Sequence, residues 1–231
     1  MKIEKALYIS PFQLERINHL PDKISYVYIG SDSCEHMMPS PSDIKKLMEM
    51  GKEAVVSVPI LTDFFLDKLC SDIKNILEFK ENIEISVNDI GTLVKLHSVF
   101  GSKLRLSVGR HLFSLWAKNS FSYTEKMSHD FSISFFEIDD AHTADSFLES
   151  NKFNIAYHYP FKYYSLTRIC AYRKGIFQSC ERICHDVYIP LDDGRIIWRG
   201  NAYFTKNNAM PRLLPQRLII SYDLTSYGET K

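Results

Sequence analysis

Five cysteines are distributed unevenly along this 231-residue chain. Three of them, Cys170, Cys180 and Cys184, fall within Tyr164–His185 (YSLTRICAYRKGIFQSCERICH) in a C-x9-C-x3-C spacing. Cys34 lies far upstream, in VYIGSDSC, directly after a run that reads as a strand. Three close thiols and one remote thiol suit a cuboidal iron–sulfur cluster, whose four thiolates must converge from different directions. If the segment is helical, Cys180 and Cys184 share one face at i and i+4. Arg168, Arg173, Lys174 and Arg182 crowd the same stretch, and their charge offsets that of clustered thiolates. Two other readings fit the spacing. Cysteine often packs as a small buried hydrophobe. Structural zinc usually shows two short ligand pairs, and this chain has one.

Elements must carry those thiols to one place. KALYIS (5–10), ISYVYIG (24–30), EAVVSVP (53–59), NIEISVN (82–88), KLRLSVG (103–109), FSISFFEID (131–139) and FNIAYHY (153–159) read as seven strands. Their nearly continuous apolar character is that of strands buried on both faces of a parallel sheet. Between them lie helical patterns: Phe12–Leu20, a stretch N-capped by Ser42 and closed by Gly51, one capped by Thr62, and Ile90–Val99, with a short helix near Ala144–Ser150. The segment around Trp116 is less regular. In the helix after Thr62, Cys70 shares an apolar stripe with Leu66, Leu69, Ile73 and Ile76, which makes it a core residue.

Strand–helix alternation of this kind implies right-handed βαβ units. With 45% hydrophobic residues, the expected fold is α/β: one TIM-like (β/α) barrel over residues 1–231, possibly incomplete, with a cysteine segment and a β-hairpin toward the C-terminus. VYIPLDDGRIIWRGNAYF reads as that hairpin, turning at Asp193-Gly194, and RLIISYD (217–223) offers a last strand. The absence of a G-x-G-x-x-G after the first strand counts against a dinucleotide fold.

Lys+Arg and Asp+Glu number 28 each, so a surface built chiefly for nucleic acid is not expected. Charged and polar residues interrupt the N-terminal stretch, which does not read as a signal peptide, and no run reaches membrane-spanning length. An odd cysteine count without a secretory signal fits a reducing cytoplasm.

In a parallel barrel, residues just past each strand gather on one rim, where chemistry is normally placed. Those positions hold Cys34, Asn88-Asp89, Gly109-Arg110, Glu137 and His158. Asp89, Arg110 and Glu137 are the candidate substrate residues, with Arg110 as an anchor for a carboxylate. Each has a plainer role as well: Asp89 as a helix cap, Arg110 and Glu137 as ion-pair partners, and His158 as a packed histidine.

VYIGSDSC, VNDIGTLVKL, LSVGRHLF, and YSLTRICAY with C-x3-C and a following DDG together resemble the collagenase-like peptidase U32 family. Within it they are most similar to the short UbiV-like branch of oxygen-independent ubiquinone biosynthesis. The resemblance runs from about Ala6 to Asn201 and is carried mainly by the cysteines. It implies a [4Fe-4S] cluster held by Cys34, Cys170, Cys180 and Cys184, and a second U32-type protein as partner. It further implies hydroxylation of a small anionic or aromatic substrate without oxygen. No G-x-S-x-G or H-E-x-x-H supports proteolysis. A non-catalytic, cluster-containing partner or regulatory subunit is the second expectation, and a U32-type peptidase the third.

Overall fold

Strands that are apolar on both faces demand cover on both, and a closed barrel supplies it. The computed structural model describes residues 3–17, 20–167, 170, 172, 180, 184 and 189–221. In chain order the barrel strands are β1 (Glu4–Ile9), β2 (Tyr26–Gly30), β3 (Glu53–Val58), β4 (Glu84–Val87), β5 (Arg105–Val108), β6 (Ile133–Ile138) and β7 (Ile155–Tyr159). Four strands then leave the barrel: β8 (Phe161–Leu166), β9 (Ile189–Leu191), β10 (Ile196–Arg199) and β11 (Ala202–Lys206). The chain returns as β12 (Arg217–Ser221), which pairs in parallel with both β1 and β7 and closes an eight-stranded barrel. The barrel is therefore complete.

The helices are α1 (Pro11–Arg16), α2 (Pro41–Glu49), α3 (Asp63–Leu77), α4 (Ile90–Phe100), α5 (Arg110–Trp116), α6 (Phe121–Asp130) and α7 (Ala141–Glu149). Three local expectations are corrected. Ser40, not Ser42, caps α2, by a capping box with Asp43. Thr62 precedes α3, but its hydroxyl and backbone N–H both go to Glu35. The segment around Trp116 is two regular helices, α5 and α6. Cys70 lies in the apolar layer between helices and barrel, as its stripe implies.

Inside the barrel, inward residues of six strands meet in a separate core: Ala6, Tyr28, Val55, Phe135, Ala156 and Ile219. Branched side chains commonly fill such interiors. Here three adjacent strands instead present Ser57, Ser86 and Ser107, in mutual register and fully buried. The four excluded strands form an antiparallel sheet, ordered β8-β11-β10-β9, with its own small core around Phe161, Ile197 and Phe204. The expected hairpin is β9–β10, turning through Asp192–Gly194. Asp139 ties this sheet to the strand ends by accepting from the Tyr163 N–H, and Asn207 donates to the Asp139 carbonyl. No helix of the described residues is long and apolar enough to cross a membrane.

Candidate functional site

The rim at the strand ends is shaped first by backbone contacts. Gly30 ends β2 at φ +130, and a Cβ there would stand 2.3 Å from the Ser57 carbonyl oxygen. Glycine alone accommodates both demands. A Cβ at Gly109 would meet the Asn88 side chain at 2.4 Å. Asn88 itself donates to the Val58 carbonyl and accepts from the His111 N–H, pinning β3, β4 and α5 together.

Above these turns the antiparallel sheet overhangs β2 and leaves a narrow cleft open to solvent. Cys34, Asp32, Tyr8 and Arg110 line it from the barrel, and Cys184 and Asn201 from the overhang. Asn201 is the clamp between the two parts. Its amide donates to the Ser33 carbonyl at 2.6 Å and to the Thr167 carbonyl at 3.0 Å.

Cys34, Cys170, Cys180 and Cys184 share one electrostatic neighbourhood. Burial above all pushes the Cys34 thiol up to about 12; a backbone bond at His36 opposes the rise, and charge on Cys184, Cys180 and Cys170 contributes to it. Burial likewise raises Cys184, followed by Cys170 and Cys180, while Arg199 favours its thiolate. Cys70 answers instead to Lys95, Asp67 and Lys74 on the helical layer. Without a metal, therefore, Cys34 is a protonated thiol at neutral pH, and ligand binding must displace its proton. Gly200, at φ +60, leaves the space beside the Cys184 sulfur open; a Cβ there would lie 3.5 Å from it. Among the described residues, no three His, Cys, Asp or Glu side chains are arranged to hold a single metal ion. Whether Cys180 and Cys184 share a helix face lies outside the described residues, since those between them are not described.

The three substrate candidates do not face a common cavity. Arg110 lines the cleft but is already paired. Its Nε and Nη2 lie 2.7 and 2.6 Å from Asp32 Oδ2, and its Nη1 reaches Asp139 at 3.4 Å. Burial alone would raise Asp32, but Arg110, with His111 and His158, holds its carboxyl down to about 2. The Arg110–Asp32 pair is thus ionised throughout the neutral range. Asp89 is a helix cap: it accepts from the Thr92 N–H at 2.8 Å and from the Thr92 hydroxyl. Glu137 lies deeper, inside the barrel, bonded to His158 at 2.7 Å. Strand parity separates these roles. Ser86 and Asn88 share the inward face of β4, which turns Asp89 outward.

Among the cleft residues that the sequence did not single out are Asp32 and Tyr8. Asp32 stands two positions past β2, a placement equivalent to Arg110 after β5, and that was its available signal. Tyr8 lies on the inward face of β1 and donates to, or accepts from, Ser57 Oγ at 2.8 Å. Burial and the Asp32 carboxylate raise its phenol well above the ordinary range, so it remains protonated.

Fold and site together define an α/β barrel protein with a thiol-lined cleft at the C-terminal ends of its strands. No protein-family model, no curated protein and no solved structure matches the chain.

Proposed function

We propose that this chain is an iron–sulfur protein that holds a [4Fe-4S] cluster through Cys34, Cys170, Cys180 and Cys184. In this reading it serves as one component of an oxygen-independent hydroxylation system acting on an aromatic substrate. The observation that carries the reading is that Cys34 and Cys184 line one cleft at the barrel mouth, with Cys170 and Cys180 near enough to bear on both thiols and Cys70 apart from them. Each thiolate of a four-iron cluster binds its own iron, so the sulfurs must surround a volume rather than a point. The donor set, the open space beside Cys184 and the favourable charge of Arg199 suit such a group.

When bound, the cluster supplies electron transfer or an iron that takes an oxygen-bearing group. The chain's own residues do the rest. Asn201 fixes the loop bearing Cys34 against the overhanging sheet. The Arg110–Asp32 pair gives the cleft a fixed dipole in a partly dry wall, and Tyr8 offers a neutral phenol at its floor.

The committed pairing of Arg110 favours a second reading. A cleft whose buried cation is neutralised in place has less to hold an anionic substrate. It suits a cluster-bearing subunit that supports a catalytic partner, which the resemblance to the U32 family would make a second protein of that type.

Purification without air, followed by iron, sulfide and zinc analysis, tests both. The expected result is four irons and four sulfides per chain, the stoichiometry of a [4Fe-4S] site. Cys70→Ser should retain them, and serine at each of the other four cysteines should lose most of them. Zinc without sulfide, or full iron in Cys34→Ser, overturns the assignment. Turnover of an aromatic substrate by the chain alone would eliminate the supporting-subunit reading.

A further inference from the structure

The four thiols proposed as ligands belong to two separate parts of the chain. Cys34 follows β2 and belongs to the barrel, whereas Cys170, Cys180 and Cys184 fall between β8 and β9 of the overhanging sheet. One end of that sheet, at the start of β8 and the end of β11, is tied to the strand ends. There Asp139 accepts from the Tyr163 N–H at 2.7 Å, and the Asn207 N–H donates to the Pro160 carbonyl at 2.7 Å. Cys34 and Cys184 lie near the opposite end, where Leu166 pairs with Ala202. A site divided in this way needs something to set the distance between its halves.

The tip of the β10–β11 hairpin, Gly200-Asn201, meets both halves. Asn201 Nδ2 donates to the carbonyl of Ser33, the residue before Cys34, at 2.6 Å. It also donates at 3.0 Å to the carbonyl of Thr167, three positions before Cys170. The Asn201 main-chain carbonyl accepts in return from the Thr167 N–H at 2.8 Å. Holding Ser33 holds Cys34, because Ser31 Oγ accepts from the N–H groups of both residues at 3.1 Å. Beside Asn201, a Cβ added to Gly200 would lie 3.5 Å from the Cys184 sulfur, so this turn and that thiol are neighbours. The Gly200 carbonyl accepts from the Trp198 indole N–H at 2.9 Å, which fixes the turn. Asn201 Oδ1, by contrast, is buried with no partner among the described residues. Such an atom is costly, so it is the two amide donors that this position uses.

We propose that Asn201 is a positioning residue that joins the Cys34 arm to the Cys170 arm and assembles the thiol set before any metal arrives. One planar amide sends its two hydrogens to two carbonyls, which a hydroxyl with a single donor cannot do. Groups behind metal ligands commonly fix them in this manner, and arms already in place lower the ordering cost of binding. Taking these four thiols as one ligand set rests on the proposed function.

The test uses full-length protein purified without metal and dibromobimane, a two-armed alkylating agent that bridges neighbouring thiols, followed by peptide mapping. Part-exposed Cys170 or Cys180 takes the first arm, and the second reaches Cys34 only where the two parts are held together. Wild type should form bridges from Cys34 to these thiols. Asn201→Asp keeps the shape and removes both donors. Bridging to Cys34 should then fall about tenfold, because a released arm dilutes its thiol around the tethered one. Bridges among Cys170, Cys180 and Cys184 should persist, and buried Cys70 should stay unlabelled. Should Asn201→Asp expose Cys70, Asn201→Ala takes its place. Undiminished Cys34 bridging in a folded variant, uniform loss of every bridge, or no Cys34 bridge in wild type overturns the proposal. Iron analysis of wild type separates this from the cluster. Iron-loaded wild type with bridging indifferent to Asn201 leaves the cluster and removes the positioning role. Bridging that depends on Asn201 in a chain that never takes iron does the reverse.

Discussion

The barrel buries an arginine at each end, and the two are used differently. At the end where the strands begin, Arg217 is fully buried, bonding Glu4 at 2.9 Å, the Tyr28 hydroxyl at 2.9 Å and Glu84 at 2.8 Å. Its guanidinium is sandwiched between Tyr26 and Phe135, 3.9 and 4.1 Å from their ring centroids. At the other end Arg110 pairs with Asp32 and lies 5.4 Å from the Phe204 ring, with the cleft beside it. Both ends neutralise a buried cation with carboxylates. The Arg217–Glu84 pair is enclosed, with Glu4 reaching solvent at its edge, whereas the equally buried Arg110–Asp32 pair lines a cleft.

The largest effect should come from breaking the enclosed end. Arg217→Met leaves the buried Glu84 with only the solvent-exposed Arg105 guanidinium and the Ser107 hydroxyl as partners, and removing one partner of a buried pair costs about 3–5 kcal/mol. Urea denaturation measures this directly. Arg110→Met should cost less, about 1.5–3 kcal/mol, because cleft water can resolvate Asp32. Lys at that position should restore part of the loss, keeping charge without the fork. Equal costs at the two positions would erase the distinction between the ends.

Acid titration sharpens the same contrast. The Asp32 carboxyl is lowered from its ordinary 3.8 to about 2. A lowered carboxyl contributes stability that is present above the unfolded value and lost as pH falls through the folded one. About 2 kcal/mol should therefore disappear between roughly pH 4 and 2, at 1.36 kcal/mol per unit. The difference in stability between wild type and Asp32→Asn, measured across that window, should shrink accordingly. The smallest effect is expected at Asp89→Ala, which removes one helix cap and costs about 1 kcal/mol, with the cleft unaltered.

Much of this architecture was legible in the chain because its cause is local. Each of the first seven strands is a short apolar run flanked by turn residues, and parallel sheets need little else. The eighth was harder to place. The antiparallel sheet interrupts the alternation before RLIISYD, so closure depended on pairing with β1, far away in sequence. That Cys34 lies on the rim of the strand ends was legible, because it follows a strand. The pairing of Arg110 was not, because Asp32 reaches it across 78 positions. Parity along β4 and β6 was written in the sequence and would have sorted Asp89 outward and Glu137 inward. A count of rim positions without parity merged them.

The position of Arg217 on the last barrel strand has a consequence for how the chain reaches its folded state. Its partners Glu4, Tyr28 and Glu84 belong to β1, β2 and β4, up to 213 positions earlier. Until β12 docks, Glu4 lacks the Arg217 cation and Glu84 has only Arg105, while β1 and β7 each present an open edge. Contacts this distant form slowly, because loop closure precedes any reward. The arriving strand supplies two rows of backbone bonds and the missing charge in a single event. Arg217 thus works as a latch, favouring all-or-none closure over a half-open sheet whose bare edges invite aggregation.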